Sequence, residues 1–367
     1  MIFFVFSLST LILAFLFSRV PIIKNKKAFF CFISALLLIL VYSLRSFEFG
    51  SEGMQSDVKI YKYTYEELSE APLFTSFAFN RFKSPLYYFT CSLLGHIGID
   101  FRLFSVIIAV FTMATLSFYV YKHSDNEFLS FFIFLGINCF SFSFYLLRQT
   151  TAVAFVLIAS HLMFANHRIK AIILGIIASL FHLSAIVFIP FLIIKKIKFN
   201  SVTGFFIGVA FLATIVLRNQ IARLIIILFD DSYEGFYETS FFLGGLFLIL
   251  FVFLLAFIAF NYKELVHNKN EYINSLFFGM LISCFIQIFS SYSYTFTRLN
   301  YFYIQSIAII AVPQLISKKN FKKSIFDKNT SLLFKKVICF AAFFAIAALY
   351  YRSIIDESLD TYLFFWQ

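Results

Sequence analysis

The amino-acid sequence predicts an all-α polytopic membrane protein, and three observations carry that prediction. Of 367 residues, 61% are apolar and only 13% charged, about half the roughly 25% charged fraction of a soluble domain. At about 20 apolar residues per crossing, the apolar content furnishes about eleven helices and leaves almost nothing for a globular domain. The apolar runs are continuous over 15 to 24 residues, which excludes a β-barrel, whose spans are short alternating segments.

In order along the chain, apolar segments cover residues 2 to 18, 28 to 44, 85 to 99, 103 to 121, 128 to 147, 149 to 166, 171 to 194, 199 to 217, 241 to 261, 273 to 290, 299 to 317 and 337 to 351. The first, Ile2 to Phe17, lacks a basic leader and an A-x-A-like site, so it reads as an uncleaved span. Arg19, Lys24, Lys26 and Lys27 follow it, and seven Lys fall between Lys318 and Lys336; by the positive-inside rule both connections are cytoplasmic. Counting from these anchors, residues 45–83, 229–240 and the tail after Arg352 face the other side and hold 13 of the 19 acids. Both termini are then extracytoplasmic.

Two segments resist simple crossing. Residues 85–99 open with Pro85 and carry Gly95, His96 and Gly98, and residues 171–194 are flanked on both sides by basic clusters. Either both enter and leave the membrane on one face, the second around His182, or both cross and the loop His167 to Lys170 lies outside. The first reading is preferred. The expectation is a single integral membrane domain over 1–367, with 10–12 membrane segments, two of them re-entrant. Its landmarks are a large extracytoplasmic loop at 45–83, an acidic one at 229–240 and a basic cytoplasmic loop at 318–336.

The net charge of +11 would suggest nucleic acid in a soluble chain, but here the Lys runs lie between apolar segments and act as orientation signals. No nucleic-acid partner is expected. The five cysteines, at 31, 91, 139, 284 and 339, all lie in apolar stretches without CxxC spacing, so neither a disulfide framework nor a metal site is expected. No His/Asp/Glu cluster has metal-ligand spacing and no Gly-rich nucleotide loop occurs, so no metal and no cofactor are expected.

In this topology 17 of 20 Lys are cytoplasmic, whereas eight of ten Arg lie outside or at the outer boundary. Arginine's planar fork donates two parallel hydrogen bonds to phosphate oxygens, so several outer Arg favour an anionic ligand, although any one can be a snorkelling anchor. Arg148 and Gln149 stand side by side in FYLLRQTTAVAF with no acid nearby, and a boundary charge of this kind needs a partner. Arg298 lies in SSYSYTFTRLNYFY, where Tyr294 and Tyr301 suit sugar rings and hydroxyls or else form an interfacial tyrosine belt. His182, in GIIASLFHLSAIVFIP, is either a packing residue bonded to Ser184 or a carbonyl, or a base in a polar cavity.

Several stretches resemble the EpsG-like polysaccharide polymerases, related in role to the Wzy-type O-antigen and capsule polymerases. The run LRQTTAVAFVLIASHLMFANHRIKAIILGIIASLFHLSAIVFIP is similar to the family's central signature: an LRQ-A start, a basic turn, then F-H-x-S-A and a proline. YSLRSFEFGSEGMQSDVKIYKYTY resembles its first outer loop through Arg45, Gly53, Asp57 and Tyr61. TFTRLNYFYIQSIAIIAVP resembles its late Arg-x-x-x-Tyr-Phe helix, and DTYLFFWQ its aromatic tail. One departure is Ser84-Pro85 in place of the family's frequent Glu-Pro, so no role for that carboxylate carries over.

The resemblance implies a GT-C-like helical bundle in the bacterial cytoplasmic (inner) membrane. It implies a glycosyltransferase-type enzyme that joins oligosaccharide repeat units carried on undecaprenyl diphosphate, at the membrane's outer face, alongside a flippase and a chain-length regulator. Arg148, Arg298 and Arg45 would hold the diphosphate and neutralise the leaving group. His182 is the first candidate base for the acceptor hydroxyl and Asp57 the second; Gln149, Tyr61, Tyr294 and Tyr301 would meet sugar. The competing readings are a flippase for lipid-linked sugar, which would show internal repeats and paired broken helices, and an O-antigen ligase using the same donor.

Overall fold

The structure, a computed structural model, describes residues 2–45, 55–73, 84–136, 139–193, 201–229, 271–289 and 294–316. Every regular element among them is helical. Two compact units divide at Leu192/Ile193. In the first lie α1 (Ile2–Ser18), α2 (Lys26–Ser43), α3 (Gln55–Glu70), α4 (Pro85–His96), α5 (Phe101–His123), α6 (Glu127–Gly136), α7 (Cys139–Tyr145), α8 (Leu147–Phe164) and α9 (Arg168–Phe181), then a 3-10 turn, Leu183–Phe188, which leads into α10 (Ile189–Ile193).

Local chemistry sets the ends of these helices. Asn25 and Asp100 cap α2 and α5 by accepting from the backbone N–H of Ala28 and Leu103, and Pro85 opens α4, where a missing N–H costs nothing. Gly98, at φ 85°, turns α4 into α5, a backbone shape that glycine adopts without strain. Among the described residues three helices, α2, α5 and α8, are long and apolar enough to cross a membrane, or up to five spans if two bent pairs, α6 with α7 and one in the second unit, each count as one. The chain is a multi-pass membrane protein. The predicted segments 241–261 and 337–351 and the loops 229–240 and 318–336 lie outside the described residues, save Phe229 at the end of a helix in the second unit.

α5 and α8 run side by side in one direction, because Phe111 packs on Phe155 at 5.2 Å and Phe118 on His161 at 5.1 Å. The same offset places Arg148 level with Phe104, about one turn, or roughly 5 Å, inside the start of α5. At the other end Nε2 of His123 and Nδ1 of His161 are 2.9 Å apart, and Lys27 donates to the Ser124 carbonyl. This end lies roughly 28 Å along α5 from Phe104 at 1.5 Å per residue.

α3 was not anticipated, since its region reads as loop by hydropathy. Its buried residues Val58, Tyr61, Tyr65 and Leu68 recur every three to four positions, an amphipathic stripe that docks on α4 and α7. Tyr65 donates its hydroxyl to the Ile99 carbonyl at 2.7 Å, and a Cβ placed on Gly95 would lie 2.4 Å from the Cβ of Ser69. Glycine is thus required where the two backbones meet.

The two irregular segments are short. α4 spans 12 residues, or about 18 Å, less than the roughly 30 Å of a bilayer core. α9 stops at His182, whose extended backbone (φ −156°, ψ 114°) leads into the 3-10 turn.

The second unit contains α11 (Ser201–Val216), α12 (Arg218–Phe229), α13 (Glu271–Phe289), α14 (Tyr294–Tyr303), a π-helical segment (Ile304–Ala308) and α15 (Ile309–Ile316). The expected span 199–217 ends in a bend: α11 and α12 meet at 77°, where the polar run Arg218–Asn219–Gln220 follows the apolar helix. Buried between α13 and α14, Ser283 donates to Oδ1 of Asn300 and Asn300 donates to Oε1 of Gln287, both at 2.6 Å.

Candidate functional site

The site grows from the discontinuity at Leu146 (φ −110°, ψ 57°) between α7 and α8. The break leaves Arg148 in the first turn of α8, where backbone N–H groups lack partners one turn back and the helix dipole is positive. A guanidinium added there concentrates positive charge, which an anion would relieve.

Arg148 is half-buried and surrounded by tyrosines. It donates from Nη1 to the Tyr88 hydroxyl at 3.0 Å and from Nε to the Tyr61 hydroxyl at 3.4 Å, and its guanidinium carbon lies 5.7 Å and 5.5 Å from those two ring centroids. Among the described residues it forms no ion pair with a carboxylate. Burial raises the Tyr61 phenol above its usual range against the opposing pull of Arg148, so the phenol stays neutral near pH 7 and pairs with the guanidinium as a hydrogen-bonding dipole. Tyr87 packs between Tyr61 at 6.0 Å and Tyr88 at 5.8 Å.

Asp57, in the first turn of α3, lies four residues before Tyr61 on the same helix face and within electrostatic reach of its phenol. The structure therefore brings Asp57, Tyr61 and Arg148 to one place. Gln149 is buried in the first turn of α8. His182 stands elsewhere: the neighbouring Phe181 stacks on Phe155 at 4.9 Å, seven residues, or roughly 10 Å, along α8 from Arg148.

Arg45, expected to hold diphosphate, has a backbone partner. Its Nη2 donates to the Phe144 carbonyl at 2.8 Å, and it lies over the rings of Tyr42, Phe144 and Tyr145 at 5.0, 4.7 and 6.0 Å. In an unbroken helix the Phe144 carbonyl would accept from residue 148. At the break Arg45 supplies a donor to that carbonyl.

In the second unit Arg298 is half-buried on α14, two residues from the Asn300 network, and Tyr301 is buried beside it in sequence. The backbone of Tyr294 begins α14; its side chain lies outside the described residues.

Sequence reasoning missed Tyr42, Tyr87 and Tyr88. The Tyr87-Tyr88 pair two residues after the helix-opening Pro85 was the available signal, but an aromatic pair in a chain with 58 Phe and 20 Tyr does not stand out.

No curated protein and no solved structure matches the chain. The model of the EpsG family matches residues 27–363, a stretch that contains the whole Arg148 site. The chain belongs to the EpsG family, a Wzy-like polysaccharide polymerase-type family.

Proposed function

We propose that the protein polymerises oligosaccharide repeat units carried on a polyprenyl diphosphate, undecaprenyl diphosphate in bacteria, at the outer face of the cytoplasmic membrane. The observation that carries this reading is Arg148: a guanidinium at a helix start, donating to two phenol oxygens, with no carboxylate paired to it among the described residues. Such a group takes an anionic oxygen in place of a phenol as charge develops on the leaving diphosphate. The acceptor hydroxyl attacks the anomeric carbon, the bond to the diphosphate oxygen breaks, and the acceptor proton passes to a base. Asp57 is the first choice for that base because it stands one turn from Tyr61; His182 is the second.

Arg298, with Tyr301 and Tyr294, is assigned to donor or sugar binding on sequence grounds. The orientation rests on the Lys-rich end of the first unit: Lys27 and Lys122 lie at the end opposite Arg148, as expected if that end faces the cytoplasm. A cysteine at Ser56 should accordingly react with an impermeant reagent in intact cells, and one at Ser324 should not.

The decisive experiment supplies purified protein in liposomes with lipid-diphosphate-linked repeat units alone. Elongation without sugar nucleotide or ATP is expected. Transbilayer movement of the lipid without elongation would identify a flippase, and transfer of finished polymer to another acceptor without elongation a ligase.

A further inference from the structure

Buried hydroxyls in the first unit mostly bond the carbonyl one turn back: Ser105 to Phe101, Thr112 to Ile108, Thr151 to Leu147 and Ser160 to Val156. Among the described residues four buried hydroxyls of this unit have no hydroxyl or carbonyl partner: Ser34, Ser92 and two phenols. Tyr42 on α2 is 1% exposed and Tyr87 on α4 is 2% exposed. Among the described residues the Tyr42 hydroxyl has no hydrogen-bond partner, and the Tyr87 hydroxyl has only the weak Cys91 thiol beside it. Native proteins rarely leave buried hydroxyls in this state unless water or a ligand serves them.

The two hydroxyls come from different helices, yet each lies within electrostatic reach of the Tyr61 phenol and of the other, and Tyr87 also reaches Arg148. The surroundings are rich in donors: Arg45 over the Tyr42 ring at 5.0 Å and Arg148 within reach of Tyr87, neither able to accept, the first turn of α8, and four phenols. A sugar hydroxyl would balance one donor with one acceptor. An acceptor-rich anion uses the surplus.

We propose that the Tyr42 and Tyr87 hydroxyls are phosphate-oxygen ligands, completing with Arg148 the oxyanion site for the diphosphate. The proposal rests on the reading of Arg148 given above. Phe substitutions test it, because they keep each ring and remove only the oxygen.

Purified full-length protein is titrated with geranylgeranyl diphosphate, comparing wild type, Tyr42→Phe, Tyr87→Phe and Arg148→Gln, and the melting temperature is read with and without ligand. Each Phe variant should keep or raise the ligand-free Tm, since an unserved buried hydroxyl is gone, while weakening diphosphate binding about tenfold and shrinking the ligand-induced rise in Tm. A hydroxyl that merely packs would not move these readouts in opposite directions. Unchanged diphosphate affinity in both Phe variants, with weakened binding in Arg148→Gln, would overturn the phenol assignment and leave the Arg148 reading standing. Unchanged affinity in Arg148→Gln would overturn both. A Phe variant too unstable to purify would also overturn the proposal, which requires the hydroxyls to be dispensable to the ligand-free fold.

Discussion

Arg45 and Arg148 both stand at helix ends among aromatic rings, yet their guanidinium groups meet different kinds of acceptor. Arg45 is 6% exposed and donates to the Phe144 carbonyl; Arg102 likewise donates to the Ser43 carbonyl at the end of α2, at 3.4 Å. Each of these two meets a backbone acceptor at a helix end. Arg148 is more exposed and donates to two phenols. The difference lies in the acceptor, a backbone carbonyl for Arg45 and Arg102 and side-chain hydroxyls for Arg148, and charge alone does not reveal it.

The largest expected effect falls on Arg148. Arg148→Ala should slow glycan elongation about 100- to 1000-fold at equal protein level, the range seen when one oxyanion donor is removed. Arg148→Lys should recover little, because it keeps the charge and loses the planar fork. Near-normal elongation by the Ala variant would erase the distinction between the two arginines.

Next comes Arg45. Arg45→Ala removes a buried donor to the Phe144 carbonyl and should cost about 1–3 kcal/mol, read as a lower Tm, while the diphosphate affinity of the protein that remains folded is retained. An unchanged Tm with lost diphosphate affinity would instead make Arg45 a ligand-binding group.

A similar stability loss, about 1–3 kcal/mol, is expected for Gly95→Ala, whose methyl group would collide with Ser69. Because Gly95 sets where α3 docks, this variant should also lose elongation beyond what its remaining folded fraction predicts. Elongation in strict proportion to folded protein would show that α3 tolerates a shift without disturbing Tyr61. The smallest effect belongs to Arg102→Ala, whose long hydrogen bond should contribute under about 1 kcal/mol; a thermal melt indistinguishable from wild type is expected, and a large drop would place Arg102 with Arg45 as a pin.

The sequence by itself determined the class of molecule, because a chain with 61% apolar residues can satisfy its backbone in a membrane only as helices. It also singled out Arg148, because a charge at the junction of two apolar runs is legible without coordinates. Tertiary structure alone decided which acceptor each arginine meets. The Arg45–Phe144 bond joins residues 99 apart and depends on a helix break at Leu146 that no proline or glycine announces. The tyrosine shell was hidden for the same reason: Tyr61 on α3 and Tyr88 on α4 meet at Arg148 of α8 only through close packing, at Gly95 and elsewhere, that periodicity along one chain cannot express.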